Sequence, residues 1–185
     1  MIIETADFES PIGAVALWVH AGRLCALGFR EHWPLLAKRV RRRFPHAELQ
    51  RRRDPGGFVA QLRAYFAGDL AAIEAVPVDL DGTTFQLEVW SELRKIPAGS
   101  AISYAELARA IGAPRAVRAV GRANGTNPAA IVVPCHRVIG SDGSLTGYGG
   151  GIERKRWLLA HEGALKRTAI AHRPAASDAQ GNLFR

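Results

Sequence analysis

Ser103-Tyr104-Ala105-Glu106-Leu107-Ala108-Arg109-Ala110-Ile111-Gly112-Ala113-Pro114-Arg115-Ala116-Val117-Arg118-Ala119-Val120-Gly121-Arg122 reads as two short helices joined by a glycine turn. Ser103 and Glu106 stand three apart, the spacing at which each side chain caps the other's backbone N–H and starts a helix. Leu107, Ala108 and Ile111 continue the apolar face, Gly112 stops it, and Pro114 is expected to open the second helix after a two-residue turn. Helix, tight turn, helix is the outline of a helix-turn-helix. On the second helix Arg115, Arg118 and Arg122 fall at i, i+3 and i+7 and share one face, with the small Ala119 between them. Val117, Val120 and Gly121 face the other way and can pack inward. A narrow cationic stripe interrupted by alanine suits close approach to a phosphate backbone, from which bulkier neighbours would hold the helix away.

Just downstream stands Pro134-Cys135-His136-Arg137, after the apolar run Ala129-Ala130-Ile131-Val132-Val133 and before Val138-Ile139. The pattern predicts a thiol at the end of a strand, with an imidazole, a guanidinium and a rigid proline beside it. A nucleophilic thiolate needs a depressed pKa, and His136, Arg137 or the nearby helix could each supply the stabilising charge. A cysteine so close to a DNA-binding element points to chemistry performed on DNA. A target atom inside a duplex is out of reach, so the nucleotide must be extruded first. In an extended segment Cys135 and His136 point to opposite faces, which favours a bridging water over direct contact.

Working outward, Thr83 with Gln86 forms another capping box, opening a helix with Phe85, Val89 and Leu93 on its inner face. Arg94 and Lys95 suit its C-terminus, and Pro97-Ala98-Gly99 ends it. Before Asp81-Gly82 the chain reads as a small α/β unit. Gly13 to Val19 and Leu24 to Phe29 are strands joined by a hairpin at Ala21-Gly22. Trp33, Leu36, Ala37, Val40 and Phe44 recur at helical spacing behind Pro34. The same helix carries Lys38, Arg39, Arg41, Arg42 and Arg43, read as a solvated face, and Arg51-Arg52-Arg53 is placed in a loop. Phe58, Leu62, Tyr65 and Phe66 predict a helix ending at Gly68, followed by an extended Ile73 to Leu80. Past Cys135, Ser141-Asp142-Gly143-Ser144 reads as a hairpin turn and Gly147 to Gly151 as a loop of little bulk around Tyr148. Glu153 to Glu162 is a last helix closed by Gly163. The division expected is 1–80, 81–165 and a mobile tail over 166–185.

Composition excludes several classes. With 185 residues, 48% of them hydrophobic and 23% charged, this is an ordinary soluble globule with ample core. Two cysteines far apart make neither a disulfide framework nor a zinc spacing, so no metal is expected and a reducing compartment fits. The N-terminus has no basic segment of a signal peptide, and no apolar stretch approaches the roughly 20 residues of a membrane span. A cytoplasmic protein is expected. The net charge of +8 is uneven, with 14 basic against 8 acidic residues over 81–185, which suggests nucleic acid as partner.

Six motifs, in order and with unbroken spacing, carry a family resemblance: Phe85-Gln86-x-x-Val89-Trp90, Ile102-Ser103-Tyr104, Arg115 to Gly121, Asn127-Pro128, Pro134 to Val138, and Leu158-Leu159-x-His161-Glu162-Gly163. Together they resemble the O6-alkylguanine-DNA alkyltransferases, or methylated-DNA–protein-cysteine methyltransferases. Ser10-Pro11-Ile12-Gly13 extends the likeness, more loosely, into the first half. The resemblance implies a ribonuclease-H-like α/β N-terminal domain and a mostly α, winged-helix-like DNA-binding C-terminal domain with a helix-turn-helix. It also implies direct repair, in which Cys135 accepts the alkyl group from O6-alkylguanine and is consumed. By position, His136 would act through a water as base, Glu162 would orient it, and Asn127 would fix the turn beneath the cysteine. Tyr104 would press on the target phosphate and donate to the purine N3. Arg118 would fill the vacated stack from the minor groove, with Arg115, Arg122 and Ala119 on the same DNA-facing helix. The carbonyls of Cys135 and Val138 would read the guanine amino group, while Tyr148, Gly149 and Gly150 close the pocket. Lys155 matches a family lysine near the site.

Gly149 stands where some relatives carry serine, and Asn124 where others have a bulkier apolar residue. A roomier pocket is therefore expected, open to alkyl groups larger than methyl and to O4-alkylthymine. No cofactor and no obligate protein partner are implied, and a monomer acting on double-stranded DNA is expected. The chief rival is a non-catalytic protein that binds alkyl lesions, but such relatives replace the nucleophile that this chain keeps as Cys135. A helix-turn-helix regulator would need no Pro-Cys-His-Arg segment. A cysteine hydrolase would need its histidine in direct contact with the thiol.

Overall fold

A computed structural model describes residues 1–165, so the tail expected over 166–185 lies outside the described residues. The first half is built on β1 (Ile2–Ser10), β2 (Gly13–His20), β3 (Arg23–Phe29) and β4 (Glu48–Arg51), in the sheet order β3-β2-β1-β4. The predicted hairpin joins β2 to β3, with Ala21 and Gly22 both at positive φ (47° and 72°), as a two-residue turn between twisted strands requires. β4 lies parallel to β1, reached from β3 through α1 (Trp33–Arg43). Arg51 therefore ends a strand instead of sitting in the predicted loop, and its guanidinium pairs with Asp7 at 2.7 Å. β1 and β4 escape sequence reading because one is interrupted by Glu4, Thr5 and Asp7 and the other, Glu48-Leu49-Gln50-Arg51, is a polar edge.

The sheet is buried on both faces. Ala16, Trp18, Ala26 and Ile3 meet Leu36 and Val40 of α1 on one side. Val15, Leu17, Val19, Leu24 and Leu27 face the main core on the other, which includes Leu62 and Tyr65 of α2 (Phe58–Phe66). The span from Ile73 to Leu80 is only partly extended: Leu70–Ile73 forms a 3-10 turn, and Val78 then bridges Leu24 of β3. Further along the same edge, Leu27 N–H donates to the Pro128 carbonyl at 2.8 Å and Ala130 N–H donates to Leu27 at 3.1 Å. The exposed edge of β3 is thus covered by the linker and by the segment that leads to Cys135.

The second half is helical. Both capping boxes form, Thr83 with Gln86 at the head of α3 (Thr84–Leu93) and Ser103 with Glu106 at the head of α4 (Tyr104–Ala110). α3 buries Val89, Trp90 and Leu93, while Phe85 is half-buried at its side. α4 and α5 (Val117–Gly125) form the helix-turn-helix pair, but Pro114 does not open α5. It sits second in a turn closed by Ala116 N–H to the Ala113 carbonyl at 2.8 Å, a position for which its fixed φ is well suited. Arg115 consequently lies in the connecting turn and not on the helix face predicted for it. Ile102–Ser103 (β5) pairs in parallel with Val138–Ile139 (β6), and α6 (Ile152–His161) completes the half. The Ser141–Ser144 segment does turn, with Gly140 N–H bonded to Ser144, yet among the described residues no strand follows it and it joins no hairpin.

Candidate active site

The apolar run before the cysteine is a folded-back loop and not the predicted strand. Val132 and Val133 N–H donate to Ala130 and Ala129, and Ile131 adopts a positive φ of 77°. That conformation costs a β-branched residue about 1–3 kcal/mol and persists only where the surroundings enforce it. Asn127 is the enforcing residue. Its Oδ1 accepts from Ala129 N–H at 3.0 Å, and its Nδ2 donates to the Val133 carbonyl at 2.8 Å and to Cys135 Sγ at 3.1 Å. Cys135–Arg137 then forms a single 3-10 turn, so the premise of an extended segment fails; at three residues per turn, Cys135 and His136 still diverge.

Behind the thiol lies a buried charged cluster. Glu162, just past the end of α6, has Oε1 accepting from His136 Nε2 at 3.0 Å, Arg137 Nη2 at 2.8 Å and Tyr65 Oη at 2.7 Å. Its Oε2 accepts from Arg137 Nε at 2.9 Å, and Arg137 Nη1 donates to the Ile96 carbonyl at 2.6 Å. Burial pushes the Glu162 carboxyl up, but the bonds and charges of His136 and Arg137 outweigh it and hold the group well below the carboxylate range. Burial lowers the His136 pKa against the opposing pull of Glu162, so the imidazole is neutral. A carboxylate can only accept, which assigns the proton to Nε2 and leaves Nδ1 a free lone pair. Nδ1 is buried without a protein hydrogen-bond partner, as are Asn124 Oδ1 and Tyr148 Oη. Three unpaired polar atoms gathered around one thiol mark a place where something polar binds.

Burial also pushes the Cys135 thiol up, in contrast to the depressed pKa expected from the sequence. The Asn127 amide, the Lys155 charge and the N–H groups of Cys135 and His136 oppose that shift without overcoming it. Lys155 is fully buried, donates from Nζ to the Val138 and Thr146 carbonyls, and is lowered by burial to about 8. Tyr104, first residue of α4, directs its hydroxyl to the Thr146 and Gly147 carbonyls at 3.2 and 3.4 Å. Gly147, at φ 67°, lies so close that a Cβ would stand 2.8 Å from that hydroxyl.

Cys135 forms part of the wall of a cavity of about 850 Å³, with Asn124, Asn127, Tyr148, Gly149 and Gly150 around it. Ala130, Leu27 and Phe29 of β3, and Leu35, Leu36, Lys38, Arg39 and Arg42 of α1 line the same cavity. Arg39 of α1 binds back across this boundary, donating to the Thr126 carbonyl at 3.0 Å and to that of Asp81, with its guanidinium 5.2 Å from the Trp90 ring centre. Thr126 adjoins Asn127, so α1 braces the loop that holds the sulfur. Among the described residues no group of three His, Cys, Asp or Glu side chains is placed to hold a metal ion.

Comparison with known proteins bears on this arrangement. The DNA binding domain of 6-O-methylguanine DNA methyltransferase matches residues 84–164, and the ribonuclease-like domain of the same family matches residues 4–80. The chain belongs to the 6-O-methylguanine DNA methyltransferase family. A methylated-DNA–protein-cysteine methyltransferase of Salmonella typhimurium is 46% identical over 161 residues, covering 84% of this chain and 93% of the relative. One from Shigella flexneri is 57% identical over 112 residues, covering 60% of this chain and 66% of that relative. Among solved structures, an O6-methylguanine methyltransferase of Mycobacterium tuberculosis superposes with a TM-score of 0.72 at 45% identity, covering 88% of this chain and 93% of the other. A crystal structure of Mycobacterium tuberculosis OGT in complex with DNA gives 0.71 at 47% identity, covering 87% and 93%.

In this methyltransferase-family chain the fold brings Cys135, His136, Glu162, Asn127, Asn124, Lys155, Val138, Tyr104, Tyr148, Gly149 and Gly150 into one region. Asn124 Nδ2 donates to the Cys135 carbonyl at 3.4 Å. Arg118, Ala119 and Arg122 are exposed on α5, and Arg115 is exposed in the turn before it. Among the described residues none of these three arginines makes an ion pair or a side-chain hydrogen bond. Several cations of the N-terminal half contrast with them: Arg43 pairs with Asp79, Arg42 with Asp81 and Arg52 with Glu4. Sequence reading missed Tyr65 and Arg39, and took Arg137 for a neighbour of the thiol when it is the ion-pair partner of Glu162. A tyrosine at a core position that needs a hydroxyl partner was the only signal available for the first.

Proposed function

We propose that this protein repairs O6-alkylguanine in double-stranded DNA by moving the alkyl group to Cys135, once per molecule. The exposed, unpaired arginines of α5 support binding of the phosphate backbone. We infer that Arg118 enters the stack from the minor-groove side as the damaged guanine swings into the cavity. There the carbonyls of Cys135 and Val138 would meet its amino group and the Gly149 N–H its O6, while Tyr104 would donate to N3.

In the reaction the Cys135 Sγ–H proton passes through a water to His136 Nδ1, the lone pair left free by the bond to Glu162. Sulfur then attacks the alkyl carbon in line: the S–C bond forms, the C–O6 bond breaks, and the electron pair leaves on guanine O6 as charge delocalised over the purine. Protonation returns guanine. Because Glu162 is already neutralised by Arg137, the imidazolium is weakly stabilised, and Lys155 serves as the nearest counter-charge for the thiolate. A raised resting thiol pKa fits this scheme, since the proton is removed only when substrate is in place. The product is a thioether, which water does not cleave, so the protein is spent.

The observation that carries this reading is the Asn127–Cys135 bond in the wall of a cavity where the buried Asn124 Oδ1 and Tyr148 Oη lack partners, with the unpartnered Nδ1 of His136 on the residue next to the thiol. We take the protein to act as a monomer in the cytoplasm, where its thiols stay reduced. Among the described residues no helix is long and apolar enough to cross a membrane. Intact mass spectrometry after mixing with an O6-methylguanine duplex tests the reading. A gain of one methylene mass on Cys135, absent in Cys135→Ala, is expected; an unmodified protein, or repeated turnover, would overturn it.

A further inference from the structure

The cavity is larger than the reaction with methyl requires. At about 850 Å³ it lies near the top of the roughly 300–1,000 Å³ over which pockets enclose whole drug-sized ligands. Besides the residues assigned to the base, its lining takes in Ala130 and residues of β3 and α1. Part of this lining is apolar: Leu27, Phe29 and Leu36, all buried. Leu35, also in the lining, is 69% exposed, more than any other large apolar side chain among the described residues. Lys38 follows it by one turn of α1, on the same face.

Charges in this lining are not equivalent. Arg39 is committed to the carbonyls of Thr126 and Asp81, and Arg42 pairs with the Asp81 carboxylate at 3.7 Å. Lys38 lines the same cavity and, among the described residues, has no ion pair or hydrogen bond. Apolar lining together with an uncommitted ammonium in one cavity is complementary to a hydrocarbon chain that ends in a carboxylate.

We propose that this cavity is a subsite for the alkyl tail of the lesion, and that it favours O6-(carboxyalkyl)guanines whose chain passes Ala130 and brings its carboxylate to Lys38. The inference rests on Cys135 being the alkyl acceptor. The transfer step is unchanged: sulfur bonds the first carbon of the chain, the C–O6 bond breaks, and the tail stays behind in the cavity as part of the thioether.

Single-turnover rates on duplexes bearing O6-methyl-, O6-hexyl- and O6-(5-carboxypentyl)guanine test it, read by intact mass at low and high salt. An exposed ion pair is worth about 0.2–1 kcal/mol, so the carboxylate adduct should react about 1.4- to fivefold faster than the hexyl adduct at low salt. The advantage should shrink at high salt and disappear or reverse in Lys38→Glu, while the methyl rate stays unchanged. Leu35→Ser should slow the hexyl and carboxypentyl adducts together and spare methyl. Equal rates for the two long adducts, or an advantage that survives Lys38→Glu, overturn the subsite while methyl transfer still proceeds. Loss of methyl transfer itself in the unaltered protein would instead overturn the assignment of Cys135.

Discussion

The Tyr65 hydroxyl donates to Glu162 Oε1 at 2.7 Å, linking α2 of the N-terminal domain to the carboxylate behind His136, 97 residues away in the chain. Tyr65 is fully buried, and its hydroxyl is pushed up by burial and by the Glu162 charge, so it stays a donor throughout the working range. The N-terminal domain therefore contributes a hydrogen bond to the charged cluster and is more than a support for it.

Tyr65→Phe keeps the ring against Phe66 and His161 and removes only this donor. A hydrogen bond to a charged group is worth about 1.5–3 kcal/mol, and stability should fall by that order in denaturant titration. With one donor fewer, the carboxylate holds the His136 proton more strongly and lifts the histidine from its lowered position. The acid limb of the pH–rate profile should move to higher pH. A stability loss with an unmoved profile would reduce Tyr65 to a packing role.

Arg118 and Arg122 project from α5 without partners, whereas Arg115 is displaced into the preceding turn. If Arg122 neutralises one phosphate, Arg122→Ala should lower the slope of log K against log salt by about 1. Arg118→Ala, removing the group assigned to the vacated stack, should slow alkyl transfer more than it weakens binding to undamaged duplex. Fluorescence anisotropy across a salt series and single-turnover rates separate the two. Equal effects of both substitutions on both readouts would argue against the distinct role given to Arg118.

Lys155 is held at about 8 from an ordinary 10.5, chiefly by burial. Between those values the unfolded chain binds a proton that the folded one does not, so the contribution of this group to stability rises with pH across that window. Lys155→Met should remove this rise, visible as a flatter stability curve above pH 8 by difference from the unaltered protein. The same substitution removes the cation nearest the thiolate, and the pH midpoint for Cys135 alkylation by iodoacetamide should move further up. An unchanged midpoint would leave the lysine a purely structural role at the Val138 and Thr146 carbonyls.

What was legible in the chain was local. Both capping boxes, the Ala21-Gly22 turn and the helical spacings of α1 and α2 involve partners within a few residues, and each forms. The reading of the segment before Cys135 failed because its shape depends on distant partners. Ala129 and Ile131 to Val133 are buried, with β3 on one side and the C-terminal helices on another, and near-uniform burial erases the period that separates strand from folded loop. Pro114 suits a turn and a helix start equally, and only the Ala113–Ala116 hydrogen bond decides between them. Two family motifs pointed to Cys135, His136 and Glu162, but Tyr65 and Arg39 lie in the other domain and carry no motif.

The glycines that follow Tyr148 give a last contrast. A Cβ on Gly150 would stand 2.6 Å from the Tyr148 ring and 2.7 Å from that of Phe29, two side chains fixed in the cavity wall. A Cβ on Gly149 would meet only the Gly125 carbonyl, at an ordinary 3.8 Å. Neither residue has a positive φ, so steric room alone decides the outcome. Gly150→Ala should force Tyr148 or Phe29 off its rotamer, costing about 1–3 kcal/mol and slowing transfer of every adduct. Gly149→Ser should fold normally and narrow the cavity beside Cys135, leaving methyl transfer near its original rate while slowing hexyl transfer. Thermal denaturation of both variants and rates on the two adducts check this. If Gly149→Ser slows methyl and hexyl alike, the open space at this position does not govern the size of adduct accepted.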